Sequence, residues 1–162
     1  MKTFYLIFPV LLMILNGCNE APLATEEGYT ITYGTSFGMC TGDCYKETSI
    51  TEDEAVLTVA SYGNPPNNGS EVRASKELST QEFERIKDMV EMSAFIILPD
   101  RIGCPDCTDG GAEFIEISTV DFQKKVTFEY LDEPSRISDL VVELREFQEE
   151  LYTSSQEVPA IN

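Results

Sequence analysis

The chain has 162 residues, enough for one domain with a sizeable core, and its 29 acidic against 11 basic residues give a formal charge of −18. That charge repels phosphate backbones, so no nucleic-acid partner is expected; acidity of this kind suits solubility, cations or basic proteins. Histidine and tryptophan are absent, which removes Ser-His-Asp and Cys-His catalysis, His-ligated zinc and one carbohydrate-stacking platform.

Lys2 and the apolar run Phe4 to Leu15, interrupted only by Pro9, open the chain. A membrane-spanning helix needs about 20 apolar residues, so this run is too short and reads as an export signal. It closes on Leu15-Asn16-Gly17-Cys18. That ending resembles the lipobox of bacterial lipoproteins, in which a diacylglycerol is joined through a thioether to the cysteine before cleavage at the preceding glycine. Asn16 is a less usual filler than Ala or Ser. The resemblance implies a signal peptide over residues 1–17 and a palmitate-type lipid anchor on Cys18 in an extracytoplasmic membrane leaflet. Each buried CH₂ contributes about 0.8 kcal/mol, and two or more acyl chains hold stably. Asn19 stands where Asp would resemble an inner-membrane retention signal, so the outer membrane is expected. Removing residues 1–17 leaves 145, and because Lys2 is the one charged residue removed, the formal charge becomes −19.

Residues 18–28 are polar, with Pro22 and Glu26-Glu27, and read as a flexible tether. Tyr29, Ile31 and Tyr33 alternate with Thr30 and Thr32, predicting a half-buried strand. Gly38 to Asp43 is a turn carrying Cys40; Cys44 to Thr51 and then Ala55 to Tyr62 continue as strands, which together form an antiparallel meander. Residues 63–69, dense in Gly, Asn and Pro, are a surface loop. Glu71 to Lys76 adds a short edge strand. Ser79 with Glu82 makes a capping box for a first helix on the stripe Phe83, Ile86, Met89 and Val90, ending near Met92.

Phe95-Ile96-Ile97-Leu98 is wholly apolar and is expected to enter the core in extended form before Pro99. A second loop, 100–111, carries Cys104, Cys107 and the turn Asp109-Gly110-Gly111, whose glycines are expected at positive φ. Two strands follow, on Phe114, Ile115 and Ile117, then on Val126, Phe128 and Tyr130. Pro134, capped by Asp132 or Ser135, opens a second helix on Ile137, Leu140, Val141, Leu144, Phe147 and Leu151. Residues 153–162 are expected to be a disordered tail. The order strands-helix-strands-helix predicts an α+β two-layer sandwich over 29–152, a mainly antiparallel sheet with both amphipathic helices on one face.

With Cys18 assigned to lipid, four cysteines remain: Cys40 and Cys44 as C-x₃-C, Cys104 and Cys107 as C-x₂-C. Three chemistries compete. An exported protein with an even count favours structural disulfides, with local pairing suggested by proximity. Two knuckles at this spacing also match a tetrathiolate zinc site using all four sulfurs. Cys-Pro-Asp-Cys matches the C-P-x-C form of thiol–disulfide oxidoreductases, but no helix is predicted after Cys107 to depress a thiol pKa. Asp100, Asp106 and Asp109 invite a calcium reading, yet the D-x-D-x-D-G series of an EF-hand is missing.

The stretches SFGMCTGDCYK, LSTQEFERIK and CPDCTDGGAEFIEI resemble small envelope lipoproteins of Bacteroidota-type bacteria, over about residues 29–150. The resemblance implies a location and a fold but no catalytic residue. The functional expectation is a non-enzymatic, disulfide-braced binding module without a cofactor, its partner an envelope protein or a small ligand. Tyr29, Tyr33, Tyr45 and Tyr62 are candidates for a contact face.

Overall fold

In the computed structural model, alternating side chains organise the sheet. The structure describes residues 28–61 and 69–157; the lipobox-like stretch with Cys18, most of the segment 18–28 expected as a tether, Tyr62, nearly all of the Gly/Asn/Pro stretch 63–69 and residues 158–162 lie outside the described residues. The strands are β1 (Thr30–Ser36), β2 (Asp43–Ile50), β3 (Glu54–Ser61), β4 (Glu71–Glu77), β5 (Ala112–Ser118) and β6 (Gln123–Glu129). They form one sheet in the order β4-β3-β2-β1-β5-β6, and every neighbouring pair is antiparallel. The expected meander is therefore present, and the later hairpin β5–β6 adds to the far side of β1. Ile31 pairs with Ile50 on one side and Ile117 on the other, and Tyr33 with Thr48 and Ile115. This register puts one apolar row on a single face, where a one-residue slip would expose all of it.

Among the described residues the α-helices are α1 (Thr80–Lys87), α2 (Met92–Ile96) and α3 (Ser138–Glu157). The two long amphipathic helices bury their stripes with the apolar row of the sheet in a single core: Phe83 and Ile86 from α1, and Leu140, Val141, Leu144, Phe147 and Leu151 from α3. Each helix has one greasy stripe and the sheet one greasy face, so a two-layer α+β sandwich results. Buried Gln148 of α3 donates to the Tyr33 carbonyl (3.3 Å) and the Thr48 hydroxyl (3.1 Å), so its polar end is satisfied inside the core.

Three helical segments differ from the sequence expectation in their bounds or conformation. First, α1 stops at Lys87, because Met89 and Val90 donate to Ile86 and Lys87 in tight i→i−3 bonds that end the α-helical ladder. Second, residues 92–96 are a helical turn and not an extended core segment. Phe95 and Leu98 are buried three residues apart, while Ile96 and Ile97 face solvent. Third, α3 begins at Ser138, after a turn in which Ile137 donates to the Pro134 carbonyl, and not at Pro134. It also runs through Thr153 to Glu157, beyond the expected boundary at 152. Ser154 and Ser155 stay within it by returning their hydroxyls to the Leu151 and Tyr152 carbonyls (2.8 and 2.6 Å).

The Ser79–Glu82 capping box forms as expected. The Ser79 hydroxyl accepts from the Glu82 amide, and Glu82 accepts from the Ser79 amide (3.0 Å). Those bonds to Ser79, followed by Lys76 at 3.1 Å, hold the Glu82 carboxyl at about 2, below its ordinary value. A depressed folded-state value means that the contribution is complete above the ordinary glutamate range and lost as pH falls towards 2. Glu82→Gln is thus expected to lower the urea midpoint at pH 6, with the gap to the native chain closing between about pH 4.3 and 2. A gap that stays constant to pH 2 would show that the carboxylate adds nothing to the cap.

Candidate functional site

The antiparallel register sorts the loops to two ends of the sheet. β1 enters at Thr30 beside Ser118 and leaves at Ser36 beside Ala112 and Tyr45. Both cysteine loops, 37–42 and 100–111, therefore meet at the end where β1 leaves. The residues following Gly28 enter at the other, roughly 20 Å away for a seven-residue strand. Phe37 ties the cysteine loops together. Its ring packs edge-on against Tyr130 (centroids 4.9 Å) and lies directly over Gly111, where a Cβ would be 2.5 Å from it. Gly111 also has φ +82°, so glycine there is required twice over. Met39 (74 % exposed) and Leu131 (59 %) add apolar side chains open to solvent at this end.

Each cysteine pair closes on itself. Cys40 and Cys44 are at disulfide distance with Cα atoms 5.7 Å apart, and Cys104 and Cys107 with Cα atoms 5.4 Å apart. Local pairing is the expected outcome, and the four sulfurs are not gathered into one tetrathiolate cluster. Among the described residues no three Cys, Asp or Glu converge as metal ligands. Asp100 is engaged by Lys124 (2.7 Å), and Asp106 and Asp109 are exposed. The Cys40–Cys44 bridge spans a β-bulge: pairing shifts between Asp43 and Tyr45, leaving Cys44 as the extra residue, only 3 % exposed. The bulge turns Asp43 to accept from Arg73 (3.0 Å) and from the Tyr152 hydroxyl of α3 (2.9 Å).

After Cys107 comes a single 3₁₀ turn, Cys107–Asp109, and then β5 at Ala112, so no helix dipole acts on either thiol. The left-handed backbone here falls on Asp106 (φ 65°), Thr108 (53°), Asp109 (60°) and Gly111, while Gly110 is right-handed. That corrects the expectation of two glycines at positive φ. Asp tolerates this region better than most side chains, and the Thr108 hydroxyl donates to the Cys107 carbonyl (2.7 Å).

Behind this end lies an ionic network that sequence reasoning missed. Glu113 of β5 points into the core in phase with Ile115 and Ile117, and its side chain is 0 % exposed. Arg145 of α3 grips it bidentately (3.1 and 2.8 Å) and also reaches Glu133 (2.8 Å). Burial opposes the guanidinium charge, but the two carboxylates more than offset it and hold Arg145 above its ordinary value. The Arg145 hydrogen bond in turn lowers Glu133. The Leu131 amide, in a left-handed turn (φ 62°), donates to Glu113 as well (3.4 Å). The pair thus fixes the loop after β6 to the helix layer. The Tyr33 hydroxyl is buried near this pair and makes no hydrogen bond of ordinary geometry; burial, and then the Glu113 charge, raise its pKa.

The four tyrosines do not share a face. Tyr29 and Tyr33 are in the core beneath the helices, Tyr45 lies on the opposite, open face of the sheet, and Tyr62 lies outside the described residues. Period-two alternation places Tyr33 and Tyr45 correctly as half-buried or buried strand residues, but the pairing register decides which face each takes. On the open face Tyr45 stacks on Phe114 (6.1 Å), Lys125 sits over the Phe114 ring (3.4 Å), and the Tyr45 hydroxyl donates to Glu47.

Among the described residues no helix is long and apolar enough to cross a membrane. No protein-family model matches the chain, and no curated protein matches it significantly.

Proposed function

We propose that this chain is a lipid-anchored, extracytoplasmic protein of the bacterial envelope, attached by acyl chains on Cys18 in the outer membrane. Its α+β domain serves as a non-enzymatic binding module for an envelope protein partner. The lipobox-like Leu15-Asn16-Gly17-Cys18 supports the anchor. The observation that carries the rest is the polarity of β1. A tether joined before Thr30 enters one end of the sheet, and both disulfide-closed loops lie at the other, with Met39 and Leu131 exposed there. Closing each loop on itself fixes its shape without help from a partner, which lowers the ordering cost of binding. A strongly acidic body with an apolar tip suits a partner surface with basic residues around an apolar centre.

The test combines labelling with cross-linking in intact cells. Cys18→Ala is expected to abolish radiolabelled palmitate incorporation and to release the protein from the membrane fraction. A photo-cross-linking residue at Met39 or Leu131 is expected to give a discrete adduct; one at Val120, exposed at the tether end, is expected to give none. Palmitate labelling that survives Cys18→Ala overturns the anchor. Identical adduct patterns from both ends overturn the assignment of the distal loops.

A further inference from the structure

The two disulfides sit in different surroundings. Cys44 is buried in the β2 bulge and Cys40 half-buried, whereas Cys104 and Cys107 are both exposed. Exposed disulfides are the ones open to attack, because exchange requires a thiolate to approach in line with the sulfur–sulfur bond. The loop around Cys104 and Cys107 is also framed independently of its bridge. Thr127 donates to the Asp100 carbonyl and Ile102 to the Thr127 carbonyl (both 2.9 Å), and Asp106 donates to the Gly111 carbonyl (3.1 Å). Opening the bridge therefore leaves the loop's entry and exit in place. Inside that frame, Asp106, Thr108 and Asp109 hold left-handed backbone that side-chain-bearing residues disfavour, so the short turn relaxes when the bridge opens.

Charge adds a second layer. The Arg101 guanidinium donates to the Pro105 carbonyl at 2.7 Å, setting a positive charge within the turn, which favours a departing thiolate. Around it the surface is acidic: Glu129 accepts from the Cys104 amide at 2.6 Å, and Asp106 and Asp109 flank Cys107. An anionic thiolate reagent approaching this loop is repelled, and a cationic one is attracted.

We propose that Cys104–Cys107 is a thiol-exchange site, opened by small neutral or cationic thiols while Cys40–Cys44 stays closed as a brace. The inference goes beyond the binding reading and does not depend on the lipid anchor. In the first step a thiolate attacks one sulfur of the pair, a new S–S bond forms, and the protein S–S bond breaks with its electron pair on the other cysteine. A second thiolate then attacks the reagent sulfur of the mixed disulfide. The reagent leaves as its own disulfide, both cysteines take protons from solvent, and two reagent thiols have been oxidised for one protein disulfide reduced.

The test uses the full chain in nonionic detergent, titrated with β-mercaptoethanol, quenched in acid, alkylated and mapped by peptide mass. Cys104 and Cys107 are expected to be half-alkylated at a thiol concentration at least about tenfold below that needed for Cys40 and Cys44. A smaller gap, or the reverse order, overturns the proposal. Rates with cysteamine and with 3-mercaptopropionate, each corrected for thiolate fraction and for its rate on a neutral reference disulfide, are expected to differ on the order of tenfold at low salt. The difference should vanish near 1 M salt, where screening acts within about 3 Å. Equal corrected rates at low salt overturn the charge preference.

Discussion

Arg145→Met is expected to destabilise the domain by roughly 3–5 kcal/mol, the usual cost of removing one partner from a buried ion pair. The cost comes from what remains behind. Glu113 has a fully buried side chain, and without Arg145 its carboxylate keeps only the Leu131 amide at 3.4 Å. Arg145 is itself largely buried, at 24 % exposed, but methionine keeps most of its aliphatic stem in place, so most of the cost comes from stranding the negative charge. Against a typical domain stability of 5–15 kcal/mol this is a large fraction. Glu113→Leu combined with Arg145→Met removes both charges and is expected to recover much of the loss, because a buried pair contributes little over well-packed apolar side chains. Urea denaturation of the two single variants and the double variant checks this. If the double variant is as unstable as Arg145→Met alone, the stranded charge is not the cause.

The same network shows where sequence reading stops. The α3 stripe was legible because six apolar residues repeat at helical spacing, and all six, from Ile137 to Leu151, are buried. The Ser79–Glu82 box was legible because capping is a local exchange of hydrogen bonds. Local cysteine pairing was legible for the same reason, since three- and four-residue separations leave few other geometries. Glu113 left one signal, an acid in phase with Ile115 and Ile117 in a strand of otherwise apolar inward positions. Its partner lies in another element, 32 residues on, and no local period connects them.

Long-range pairing also decided the arrangement of the two ends. Nothing in the period of β5 says that it adds to β1 and not to β4, yet that pairing brings Ala112 beside Ser36 and so both cysteine loops to one end. The bulge at Cys44 then turns Asp43 to the helix side, where it reaches Tyr152, while Lys46 lies over the Tyr152 ring at 3.7 Å in ordinary alternation with Thr48 and Ile50. Tyr45 falls on the open face through the regular alternation that runs from Tyr45 to Ile50. The bulge thus adds the Asp43 contact to α3, and the register of β2 sets the composition of the exposed face.

Gly34→Ala is the second substitution with a large expected effect, about 3 kcal/mol, at the upper end of what overpacking a well-filled site costs. Gly34 sits in mid-strand, paired with Glu47 and with Phe114, and no turn or positive φ requires it. Its absence of a side chain is used by its neighbour. The buried Phe114 ring lies across the Gly34 backbone, where a Cβ would be 2.3 and 2.5 Å from ring carbons and 2.8 Å from the Lys46 carbonyl oxygen. The ring has no easy retreat, since Tyr45 stacks on it and Lys125 covers it, and the carbonyl belongs to the β1–β2 ladder. Phe114→Ala alone should also destabilise, by about 3 kcal/mol, through lost burial. In the double variant the ring clash is gone and only the Lys46 carbonyl contact remains, so the combined loss is expected to fall short of the sum of the singles by at least about 1 kcal/mol. Strict additivity in urea denaturation would mean that the ring is not what keeps this position glycine, and would direct attention to the Lys46 carbonyl instead.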